Sequence, residues 1–181
     1  DFLFGIAFLF FSLVLLSSAG KALDLEHNPA VIDFFGSFDT KSHLTIIIFL
    51  LIGTLITCIV QSSAAVMAIT ILLCSTGVLP IYLGIALVMG ENIGTTATAN
   101  LAALGANAQA RRAALAHLVF NVFGVIWVLC LFYPFVDFVC SIVGYDPNGG
   151  MSAVQKAKLL PIVLAMFHTC FNVCNTGVLI W

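Results

Sequence analysis

Charge is what this sequence has least of. Only 8% of its 181 residues are Asp, Glu, Lys or Arg, while 62% are hydrophobic and the mean hydropathy is +1.18. A water-soluble domain carries charge on about a quarter of its residues, so water is excluded as the main solvent of this chain. Basic residues are scarcer still: six Lys and Arg against eight Asp and Glu, a net charge of −2, give no footprint for nucleic acid. The six cysteines lack the CxxC or Cys/His spacing of a zinc site and fall mostly inside apolar runs, where they read as small packing residues. No cleavable signal peptide is recognisable: no basic region stands before the first apolar stretch, Phe2 to Ala19, which at about 18 residues is long enough to span a bilayer. Apolar character begins at once after Asp1 and is still in progress at Trp181, so the chain reads as part of a longer one.

What is present is a series of membrane-length apolar segments, and the expected fold is an all-α polytopic membrane protein forming a single transmembrane domain over 1–181. The expected spans are 2–19, a hairpin over 44–78, an interrupted helix over 80–104, and helices over 113–133 and 159–181. The polar stretch Gly20 to Ser42 carries Phe34 and Phe35, which suit a segment lying along the interface. From Leu44 to Gly90 there is no charge at all, about 70 Å of helix and more than two crossings. Gln61-Ser62-Ser63 breaks that run, and Gly90-Glu91-Asn92-Ile93-Gly94-Thr95-Thr96 ends it. Backbone freed at membrane depth must be buried in protein or line a wet cavity, and interrupted apolar segments of this kind point to a transporter's binding site. The positive-inside rule leans toward a cytoplasmic Arg111-Arg112, with Lys156 and Lys158 falling on the other side.

Gln61, Ser62 and Ser63 offer an amide and two hydroxyls where a serine can cap the following helix and leave N–H groups directed at an anion. A simple hairpin turn at the water surface fits the same spacing, and both readings stay open. In the second cluster the glycines suggest unwound backbone, and Asn92, Thr95 and Thr96 supply the oxygens that hard cations prefer. A His–x–x–Phe–Asn motif occurs twice, at His117–Asn121 and His168–Asn172, with the two polar residues on one helix face. Interhelical hydrogen bonding is its favoured role, participation in an ion path the other. No nucleophile-elbow glycines accompany Ser62 or Ser63, so no catalytic residue is assigned and the chain is read as no enzyme.

Gln61-Ser62-Ser63-Ala64-Ala65, then Gly90 to Thr96, then Ala110-Arg111-Arg112-Ala113-Ala114-Leu115-Ala116-His117 and Phe120-Asn121 resemble, in letters, order and spacing, the type II sodium–phosphate cotransporter family, its bacterial members above all. The resemblance implies two inverted repeats, each bringing a Gln-Ser-Ser hairpin and a discontinuous helix to a midplane site. This chain matches the second, so the partner would be a first repeat of the same protein or a second copy. It further implies that Gln61, Ser62 and Ser63 contact phosphate and Na+, and that Asn92, Thr95 and Thr96 serve the facing half-site. Na+ would bind at Ser63, Asn92 and Thr95, with Glu91, His117 and Asn121 in an outer ring. Ala64 stands where many members have a hydroxyl, and Glu91 where a small residue is usual. The expected function is therefore sodium-coupled phosphate transport, with Na+ as the coupling ion and no cofactor, in a lipid bilayer that would be the bacterial inner membrane. Transport of another oxyanion, phosphate export, and a non-transporting membrane anchor are the alternatives.

Overall fold

The computed structural model describes residues 2–22, 24–147 and 149–180. All regular structure among them is helical, as the apolar segments require: backbone groups in lipid must find partners within their own segment. The helices are α1 (Phe2–Ala22), α2 (Pro29–Gly36), α3 (His43–Val60), α4 (Ser63–Ser75), α5 (Ile81–Ala103), α6 (Ala108–Cys130), α7 (Phe132–Val143) and α8 (Ala153–Leu179). Among the described residues, α3, α6 and α8 are long and apolar enough to cross a membrane.

Local chemistry explains where these helices start. Asn28, Ser62, Asn107 and Ser152 each turn a side-chain oxygen onto an N–H of the following first turn, in α2, α4, α6 and α8. Ser152 and Gln155 complete a reciprocal capping box. The segment expected over 113–133 is two helices, because Leu131 leaves the helical conformation between Cys130 and Phe132.

α5 is the central helix. Its first half, Ile81 to Met89, is almost wholly buried, and the core gathers around it from α3, α4, α7 and α8. α8 contributes Leu160, Val163, Leu164, Phe167 and Phe171, an i, i+3, i+4 stripe on one face. α1, by contrast, exposes Phe2, Phe4, Phe8, Phe11 and Val14, an apolar surface suited to lipid.

The sequence led us to expect a discontinuous helix with unwound backbone at Gly90–Thr96. The structure corrects this: α5 runs unbroken from Ile81 to Ala103. Its glycines serve close packing instead. A methyl group added at Gly90 would overlap the Leu50 carbonyl of α3, one at Gly94 would meet Thr57, and one at Gly53 of α3 would overlap the Leu87 carbonyl of α5. Small residues spaced in this way let two helix backbones approach and exchange polar contacts. Thr54 duly lies within hydrogen-bond distance of the Leu50 and Gly90 carbonyls, at 3.0 and 3.1 Å.

The one non-helical break inside the long uncharged run besides Gln61–Ser62 is the α4–α5 connection. There Gly77 takes a positive φ and Val78 and Leu79 are buried. The Leu79 N–H donates to the Leu73 carbonyl at 3.0 Å, satisfying the backbone away from water.

Candidate functional site

The Gln61–Ser63 break is built by two local devices. Gln61 ends α3 in the left-handed conformation (φ 57°, ψ 24°), where glycine is usual, and its N–H donates to the Thr57 carbonyl at 2.8 Å. Ser62 then extends, and its hydroxyl accepts the Ala65 N–H at 3.3 Å, starting α4. The remaining first-turn amides of α4 keep no intrahelical acceptor, as at any helix start. The Gln61 side chain is exposed, and those of Ser62 and Ser63 are half-buried.

Ser63 opens onto a cavity of about 350 Å³ between α4, α5 and α8, whose walls include Met67, Ile71, Glu91, Ala165 and His168. Glu91 is 1% exposed. Its Oε1 lies 2.9 Å from the Thr70 hydroxyl, and its Oε2 has no hydrogen-bond partner. The Thr70 hydroxyl is also 3.0 Å from the Val66 carbonyl, so one proton stands between two acceptors. The buried Nδ1 of His168 likewise lacks a partner.

The remaining polar residues of α5 divide between two faces. Thr95 lies one turn beyond Glu91 and donates to the Glu91 carbonyl at 2.8 Å. Asn92 and Thr96 share a different face; Asn92 is 8% exposed with an unpartnered Nδ2, and Thr96 is fully buried and donates to the Ile93 carbonyl at 2.7 Å. Both threonines have thus committed their protons to their own helix. What remains on each oxygen are lone pairs, which suit a cation and not an anion. Of the residues named from sequence as site candidates or motif members, Ser63, Glu91 and His168 line this cavity.

His117 and Asn121 lie elsewhere. His117 is exposed and borders an alanine-lined cleft between α5 and α6. The repeated motif does not bond between helices as favoured: Asn121 Nδ2 donates to the His117 carbonyl at 3.0 Å and Asn172 Nδ2 to the His168 carbonyl at 2.9 Å, each within its own helix. A side chain four residues after a carbonyl reaches it more readily than it reaches a neighbouring helix. On α6 and α8 the bonds between helices are made instead at Asn175, which accepts from Trp127 Nε1 (3.2 Å) and donates to the Phe120 carbonyl (2.8 Å), while Asn100 of α5 donates to the Ala114 carbonyl of α6 (3.0 Å). His168, on the cavity wall, was not singled out as a site residue. Its sequence signals were its place in the repeated His–x–x–Phe–Asn motif and an ionisable side chain inside an apolar span.

The sequence profile of the family described as Na+/Pi-cotransporter matches residues 39–139, which include the hairpin, α5 and α6. The chain is 38% identical over 124 residues to the uncharacterized protein YqeW of Bacillus subtilis (strain 168), covering 68% of this chain and 36% of that protein. It is 31% identical over 130 residues to Escherichia coli (strain K12) YjbB, provisionally named an inorganic phosphate export protein, covering 72% and 21%. It is 40% identical over 89 residues to the human sodium-dependent phosphate transport protein 2B, covering 47% and 12%. The chain therefore spans about a third or less of the length of these curated relatives. No solved structure matches it.

Proposed function

We propose a function for this chain from the premise that it belongs to the Na+/Pi-cotransporter family: it supplies one of the two repeats of a membrane carrier that moves inorganic phosphate in company with Na+. The observation that carries this reading is the family match over residues 39–139, which contain both polar clusters of the uncharged run. Gln61, Ser62 and Ser63 present an amide, hydroxyls and helix-start N–H groups to phosphate. Ser63 and Thr95 each present an oxygen to Na+, and Asn92 and Thr96, on another face of α5, serve the facing half-site. No Lys or Arg lies within α3, α4 or α5 to neutralise a phosphate, and helix N-termini supply only partial charge, so a co-bound cation is the physical requirement that sodium coupling meets. The other half of the site comes from a first repeat of the same protein or from a second copy. The carrier works in a cell membrane, the bacterial inner membrane in this proposal.

The test is uptake of labelled phosphate by proteoliposomes holding the full-length protein, with the Na+ gradient imposed inward, outward or not at all. Inward Na+ should drive accumulation, and uptake indifferent to Na+ would remove the coupling. A second reading, export, is favoured by the likeness to YjbB, and is supported if phosphate leaves loaded vesicles faster than the reversed Na+ gradient drives it in.

A further inference from the structure

Glu91 poses a charge problem that the proposed phosphate site does not solve. Its carboxyl group is enclosed by α4, α5 and α8, and one oxygen has no protein partner. Among the described residues no Lys or Arg pairs with it. A buried carboxylate without a counter-charge is strongly disfavoured. Thr70 offers Oε1 at most one proton, and that proton is shared with Val66. The unpartnered oxygen belongs to a residue on the wall of a cavity of about 350 Å³, where Ser63 adds a hydroxyl and His168 a ring nitrogen also lacking a partner.

We propose that Glu91 is the charged ligand of a Na+ site between α4, α5 and α8, with Thr70 as the residue that positions the carboxylate. The inference rests on the reading of the chain as part of a sodium-coupled carrier. Hard oxygen donors suit Na+, and a single carboxylate matches one positive charge. A divalent ion would call for more acids, and no group of three His, Cys, Asp or Glu side chains converges among the described residues. The site also changes the accounting of charge. A Na+ held by Glu91 is neutralised by the protein, so it does not also offset the charge of phosphate.

Binding of radioactive Na+ to the purified full-length protein in detergent, without phosphate, tests this directly. Glu91→Gln keeps the shape and removes the charge. It should either lose one bound Na+ per protein or raise the half-saturating Na+ concentration at least about tenfold, and Thr70→Val, which loosens the carboxylate, should raise it about tenfold. Asp33→Asn, on exposed α2, should bind Na+ as the parent does. Equal Na+ number and half-saturation in the parent and Glu91→Gln would overturn the inference while leaving sodium coupling standing. A parent that binds no Na+ would overturn both together. Should Glu91→Gln elute as an aggregate, Thr70→Val decides, and an unchanged half-saturation there overturns the proposal.

Discussion

At the scale of single residues, Gln61 carries the clearest cost. A left-handed backbone costs a residue with a side chain about 1–2 kcal/mol relative to glycine, and strain of this kind tends to gather where a side chain is needed. Gln61→Gly should therefore raise the thermal unfolding temperature in detergent, a gain of up to about 1 kcal/mol, while phosphate uptake falls. Uptake at the parental level would show that the amide has no part in transport. Ser62→Ala acts in the opposite sense on stability: it removes the cap of α4 and should cost about 1 kcal/mol, read as a lower unfolding temperature. In the proposed site it also removes a hydroxyl from phosphate, which should raise the half-saturating phosphate concentration about tenfold. The break at these residues was legible in sequence because polar side chains inside an uncharged run announce it and capping chemistry is local. His168 was not. Its motif occurs twice with identical spacing, and only packing of α8 against α4 and α5 turns one copy toward the cavity while the other stays outside.

At the scale of elements, α5 shows how one residue type can carry two opposite messages. Gly90 and Gly94 suggested a helix that unwinds, yet both lie in continuous helix pressed against α3. Sequence periodicity reports which positions lack side chains; it does not report whether the vacated space is taken by bent backbone or by a neighbouring helix. The two uses predict different mutants. If the glycines were hinges, alanine would stiffen the helix and stabilise it, alanine being favoured over glycine in a helix by about 1 kcal/mol. Because they are contact points, Gly90→Ala and Gly94→Ala should destabilise the protein by about 1–3 kcal/mol through overpacking against Leu50 and Thr57. Gly5→Ala in α1, where an added methyl meets nothing within 4 Å, is the matched control and should be neutral or stabilising. Unfolding titrations of the three variants in mixed micelles check the contrast, and a stabilised Gly90→Ala would reverse the packing account.

At the scale of the whole molecule, the all-α membrane class was legible from composition, since 62% hydrophobic residues with 8% charge leave helices buried in lipid as the available solution. The grouping of the helices was less so: the division of 113–133 between α6 and α7 depends on a single non-helical residue, Leu131. The described residues bring Ser63 to the same cavity as Glu91, while Asn92 and Thr96 occupy another face of α5. The proposal of a site shared with a second repeat follows the same division. Proteoliposomes holding residues 1–181 alone should accordingly show no sodium-dependent phosphate uptake above protein-free vesicles. Uptake would mean that two copies of these residues assemble into a working carrier.

The reciprocal notches between α3 and α5 have a mechanical consequence. Gly53 receives the backbone at Leu87, and Gly90 receives the backbone at Leu50, so each helix seats a carbonyl in a recess of the other at two levels. Two helices joined in this way behave like a dovetail. One cannot slide along the other without first lifting off it, because every intermediate position would drive a carbonyl into a side chain. Any rocking of the molecule would then swing α3 and α5 as one lever, with α4 joined to it through the breaks at Gln61–Ser62 on one side and Gly77–Pro80 on the other.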